Sequence, residues 1–172
     1  MALIARLAAA AALLVLLTAP ALAEEACDGS IQASVLQPLP SPLVVTVENL
    51  RNTPNAPKAE ASFIDGLRSA GVKVEPDAEN VLRLTFLITS TGTAELPHEY
   101  TDFSWTAVPG AASGPPPTIT VTVGLGGRTR PNLSWVASLA CQVNTTDPTM
   151  LAQQLGQVIG EVLSKQLSQE SF

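Results

Sequence analysis

The chain is 172 residues long, 46% hydrophobic and 14% charged, with 15 acidic residues against 9 basic ones. That length suits one compact domain around a single core, not two. The acidic balance excludes the basic footprint that nucleic acid requires, and it leaves little attraction for anionic lipid.

The first 23 residues, MALIARLAAAAALLVLLTAPALA, read as a secretory signal. Arg6 supplies a positive start, Leu7 to Leu17 an apolar run, and Pro20 a break. Ala21-Leu22-Ala23 then offers the small residues that a signal peptidase accepts. The apolar run is shorter than the ~20 residues a bilayer span needs, so cleavage after Ala23 is expected rather than anchoring. Cleavage takes Arg6 and leaves 8 basic against 15 acidic residues, a net charge of −7. A lipoprotein would carry Cys at the cleavage point; here Cys27 lies behind Glu24-Glu25-Ala26, so a lipid anchor is not expected. The expected product is periplasmic, with no stable membrane insertion.

Cys27 and Cys141 are the only cysteines. In an oxidising compartment the simplest reading is one disulfide, with free thiols or metal binding as alternatives. Residues 24–42 read as an extended Pro-rich lead-in, with a short strand allowed at Ile31 to Leu36, and residues 43–172 as the folded domain. LVVTVENL (43–50) alternates as a half-buried strand, and RNTPNAP (51–57) is a turn. Ala59, Phe63, Ile64, Leu67 and Ala70 recur at helical spacing, and Gly71 suits the left-handed C-terminus of that helix. Residues 80–92 alternate Leu82, Leu84, Phe86 and Ile88 against Arg83, Thr85 and Thr89, the clearest strand pattern in the chain.

Residues 93–117 are the least regular stretch and hold Tyr100, Phe103 and Trp105. These aromatics either close an end of the core or form a patch for a partner. Two alternating strands follow as a hairpin, TITVTVGL (118–125) and LSWVASLACQV (133–143). In the second, Leu133, Trp135, Ala137, Leu139 and Cys141 share a face. Asp147 as N-cap and Pro148 at the first position begin a last helix with an apolar stripe. Its Gly156 and Gly160 imply close packing, either on its own sheet or in a homodimer.

Strand, helix, three strands and helix in that order imply an α+β two-layer sandwich. Two helices would lie on one face of a four- to five-stranded mixed, mostly antiparallel sheet. The phrases VENLRNTPN and LRSAGVKV, with later strands closed by an amphipathic helix, resemble a group of small bacterial envelope α/β modules. That group includes the amino-terminal domain of the Tol-system propeller protein, the outer-membrane lipopolysaccharide-assembly lipoprotein and activator lipoproteins of peptidoglycan synthases. The resemblance covers 43–167 as a pattern and 43–74 as local phrasing, and this chain lacks the lipid-anchoring Cys common in the group. It implies a non-enzymatic adaptor that binds another envelope protein.

Chemistry-bearing motifs are few. Glu95, His98 and Asp102 could hold a divalent cation if their loop folded round it, and Asp77 with Glu79 is a weaker candidate. His98 is the only imidazole, and no G-x-S-x-G, S-x-x-K or C-x-x-C motif accompanies it. GLGGRT (124–129) lacks Walker spacing and reads as a hairpin turn, with Arg128 and Arg130 as solubilising residues. Neither enzymatic activity nor a cofactor is expected. The readings carried forward are an envelope adaptor, a carrier of a small apolar ligand, and a metal-binding protein or metal-dependent enzyme.

Overall fold

A computed structural model describes residues 26–48, 56–89, 98–100, 118–129, 132–145 and 147–172, without the side chains of 56–57, 86–89 and 98–100. The elements in order are β1 (Cys27–Val35), β2 (Val44–Val47), α1 (Ala56–Ser69), β3 (Lys73–Val74), β4 (Asn80–Thr89), β5 (His98–Tyr100), β6 (Thr118–Gly127), β7 (Leu133–Val143), α2 (Pro148–Lys165) and β8 (Gln169–Ser171). The strands form one sheet in the order β3-β2-β4-β6-β7-β1-β8, with β5 also paired to β4. β2 runs parallel to β3 and β4, and the remaining pairs are antiparallel.

The α+β class and the mixed, mostly antiparallel sheet agree with the sequence. The strand count does not: eight strands among the described residues replace the four to five expected. β3, β5 and β8 have only two or three residues, too few for an alternating pattern to show. β1 spans nine residues and pairs with β7 along its whole length, from Cys27 opposite Val143 to Val35 opposite Trp135. It begins four residues before the short strand allowed at Ile31, so the lead-in is sheet through Val35. Asp28, Gly29, Ser30, Gln32 and Ser34 are small or polar, and they disguise it as loop.

Inward residues of the sheet (Ile31, Val45, Leu82, Leu84, Ile119, Val121, Val123, Leu125, Trp135, Leu139) join α1 and α2 side chains in one core cluster. Gln32, Thr122, Ser138 and Gln142 on the opposite face are exposed. Both helices therefore cover one face, as expected for two layers.

α1 buries Ala59, Phe63 and Leu67 at four-residue spacing and ends at Gly71, where φ is +86°. α2 starts at Asp147, whose carboxylate accepts from Thr149 N at 2.8 Å. It ends at Gln166 in the left-handed region, φ 52°.

Where the helices meet, a Cβ on Gly156 would fall on the carbonyl of Phe63. One on Gly66 would meet the backbone of Gln153 and Gln157, and one on Gly160 would lie 2.8 Å from the Ala70 Cβ. Small residues four apart on both helices let the backbones touch. The expected contacts for Gly156 and Gly160, own sheet or second copy, are thus corrected. Both glycines are buried against α1 of the same chain, which removes them as a homodimer surface. Periodicity does not mark this partner, because Gly66 has no side chain to add to the apolar stripe of α1.

Candidate functional site

The β6–β7 pairing slips by one residue: Leu125 faces Trp135, but Gly126 faces Leu133. Ser134 is the extra residue of a β-bulge, and such bulges re-aim side chains. The expected common face of Leu133 with Trp135, Ala137, Leu139 and Cys141 holds for the last four, which are buried. Leu133 is turned to the other face, where it is 38% exposed. There a methyl group placed on Gly124 would come within 2.9 Å of Leu133 Cδ2. The bulge is pinned, because Leu36 N and Gln37 N both donate to Ser134 O, at 2.8 and 3.0 Å.

That pinning draws the end of β1 to the start of β7. Val35 and Leu36, 45% and 55% exposed, lie at the same end of the sheet as Leu133, with Val35 on the face of its partner Trp135. The fourth exposed large apolar side chain among the described residues, Met150, lies at the opposite end of the sandwich on α2. Three of the four thus lie at one end of the sheet, and grouped rather than scattered apolar exposure is the informative kind.

From this corner, residues 36–43 cross to β2, four strands away in the sheet order. At about 4.8 Å per strand the crossing is about 19 Å, roughly two thirds of the reach of eight residues, so the segment can cross with bends at its two ends. Pro38 and Pro40 favour an extended path between them. The segment passes over the end of the core, with Leu39 and Leu43 partly buried against it. Among the described residues, 38–42 make no backbone hydrogen bond.

Trp135 stands at this end of the core, fully buried. Its indole Nε1 has no hydrogen-bond partner among the described residues. A buried donor left unpaired costs roughly 1–3 kcal/mol. The Trp135 ring belongs to the core cluster with Leu125 and Leu139.

Next to the strap, Arg128 has a role its sequence context hid. Its guanidinium donates to Pro76 O at 2.9 Å and to Ala78 O at 3.2 and 3.3 Å, while its backbone N donates to Glu79 O at 2.7 Å. Thr129 Oγ1 donates to Glu79 Oε1 at 3.3 Å. The arginine read as a solubilising residue clips the β6–β7 turn to the β3–β4 turn. No sequence signal marks this, because carbonyl acceptors leave no residue preference.

The far end is closed differently. Cys27 and Cys141 form the expected disulfide, with Cα atoms 5.6 Å apart. Gln154 Nε2 donates to Cys27 O at 2.7 Å, and Asn144 N to Ala26 O at 2.8 Å. Hydrogen bonds from the Thr149 hydroxyl and backbone hold the Asp147 carboxyl below its ordinary range. Farther along α2, the Lys165 ammonium lowers the Glu161 carboxyl and is itself raised by it.

Of the other predicted site residues, Glu95, Asp102, Phe103 and Trp105 lie outside the described residues. His98 and Tyr100 are placed by backbone alone, in β5 opposite Ile88 and Phe86. Among the described residues, no three His, Cys, Asp or Glu gather as a metal site would require. Nor is any helix among them long and apolar enough to cross a membrane.

No protein-family model and no curated protein matches the chain. Solved structures do. The PelC dodecamer from Paraburkholderia phytofirmans is 18% identical, with a TM-score of 0.44, over 78% of this chain and 96% of that one. A variant of that dodecamer in a second crystal form gives 19% and 0.43 over the same shares. A PDZ domain protein from Parabacteroides distasonis is 8% identical, with a TM-score of 0.47, over 80% of this chain and 37% of that one.

Proposed function

We propose that this chain is a non-enzymatic binding or adaptor protein of the bacterial periplasm that docks another envelope protein. One observation carries the reading. Val35, Leu36 and Leu133 are all exposed at the same end of the β1–β7 pair, which a pinned bulge holds in place, with Val35 on the face of Trp135 and Leu133 on the other. A rigid apolar group with a polar surround is the usual anchor of a protein contact. The signal-like residues 1–23 and the resemblance to envelope modules supply the compartment. Tyr100, Phe103 and Trp105 are, on sequence grounds, a second contact of the same partner.

The test is tagged protein recovered from the native periplasm, compared with Leu36→Asp and Leu133→Asp. The expected result is a specific co-purifying envelope protein whose yield falls at least about tenfold in both variants, a loss of one strong anchor. Melting temperatures should stay near that of the parent. Unchanged recovery would overturn the reading. The same preparation checks the compartment by mass spectrometry, with the mature chain expected to begin at Glu24.

A further inference from the structure

We infer that residues 36–43 strap down a binding site for an apolar molecule carrying a neutral carbonyl, such as an ester-linked acyl chain, whose polar contact is the Trp135 indole N–H. The inference stands apart from the adaptor reading. Trp135 is fully buried, yet its Nε1 donor has no partner among the described residues. Its neighbours at this end include Val35 and Leu125, directly opposite it on the two flanking strands. An apolar molecule with one acceptor supplies what this environment lacks, since apolar sites fix their ligands by a few placed polar groups. The mature chain's net charge of −7 disfavours anions in general, and a lone N–H with no cation beside it among the described residues suits a neutral acceptor.

Access follows from the strap. Residues 38–42 include three prolines and make no backbone hydrogen bond among the described residues. Lifting the strap therefore gives up the apolar contacts of Leu39 and Leu43 and the two bonds at Ser134 O, with no ladder to unzip. Segments held this way open well below the cost of global unfolding.

The test uses the mature protein and displacement of bound N-phenyl-1-naphthylamine, with methyl decanoate as probe and undecane as the acceptor-free control. The ester should compete about fivefold more tightly than the alkane, the worth of one net hydrogen bond. In Trp135→Phe, which keeps a ring but removes the donor, the ester carbonyl would be buried unpaired, so the ester's advantage should be lost or reversed in favour of the alkane. In a Trp105→Phe background, emission comes from Trp135 alone and should change saturably with methyl decanoate. Leu39→Ala should speed uptake several-fold and leave the ester-to-alkane ratio intact.

No uptake by the parent protein overturns the proposal, as does an ester preference that survives in Trp135→Phe. Uptake at an unchanged rate in Leu39→Ala overturns the strap as the gate. A captured protein partner without uptake leaves the adaptor reading standing and ends this one.

Discussion

β1 and β7 run side by side through the whole sandwich, and their two ends are closed by different physics. Where Cys27 meets Val143, the closure is a covalent bond, a glutamine clamp on Cys27 O and a capped helix. Where Val35 meets Trp135, it is a proline-rich strap resting on two leucines, with three exposed apolar side chains outside and an unpaired indole N–H inside. The same strand pair is thus locked at one end and lightly held at the other. Surfaces that exchange partners or ligands belong to lightly held regions, because local opening there is cheap.

The sharpest way to break this contrast is to remove the lock. Cys27→Ser with Cys141→Ser should lower stability by about 2–5 kcal/mol in urea denaturation. Hydrogen exchange should then accelerate first in Cys27 to Ile31, and protection at the Val35 end should change least. Equal acceleration at both ends would mean that the ends are not independent. Arg128→Met comes next. It keeps the apolar stem but strands the carbonyls of Pro76 and Ala78, at a cost of about 1–3 kcal/mol. The loss should concentrate in exchange of the two turns that Arg128 ties together.

The locked end was largely legible in the sequence. The cysteines, the Asp147–Pro148 helix start and the apolar stripe of α2 each follow a local rule, and each holds. The lightly held end was not. Leu133 fits the alternation of β7 perfectly, and only pairing with β6 shows that Ser134 is one residue too many. β1 hid behind small polar residues, and the glycine contact between α1 and α2 joins positions some ninety residues apart. Periodicity reports which side chains an element buries. It is silent on register, and it cannot say which distant backbone will press against a glycine. The candidate site was missed for that reason, since a bulge, a crossing and an unpaired donor are all products of register and packing.

The smallest expected effect lies back at the locked end. Asp147 caps α2 through Thr149 N and Oγ1, at 2.8 and 2.7 Å, and these bonds lower its carboxyl. A carboxyl lowered by folding contributes fully above its unfolded value, about 3.9. Its contribution disappears as pH falls through the lower folded value. Stability from this group should therefore be flat from pH 7 to about 5 and decline below about 4. Asp147→Ala should cost about 1 kcal/mol at pH 7, the usual worth of an N-cap. Asp147→Asn keeps an acceptor without the charge, so it should retain most of that stability while losing the cap's share of the acid-side decline. Denaturant midpoints at pH 7, 5 and 3 separate the outcomes. An Asn variant that declines in acid as steeply as the parent would place the acid sensitivity elsewhere, on groups such as Glu161, which its bond with Lys165 lowers in the same direction.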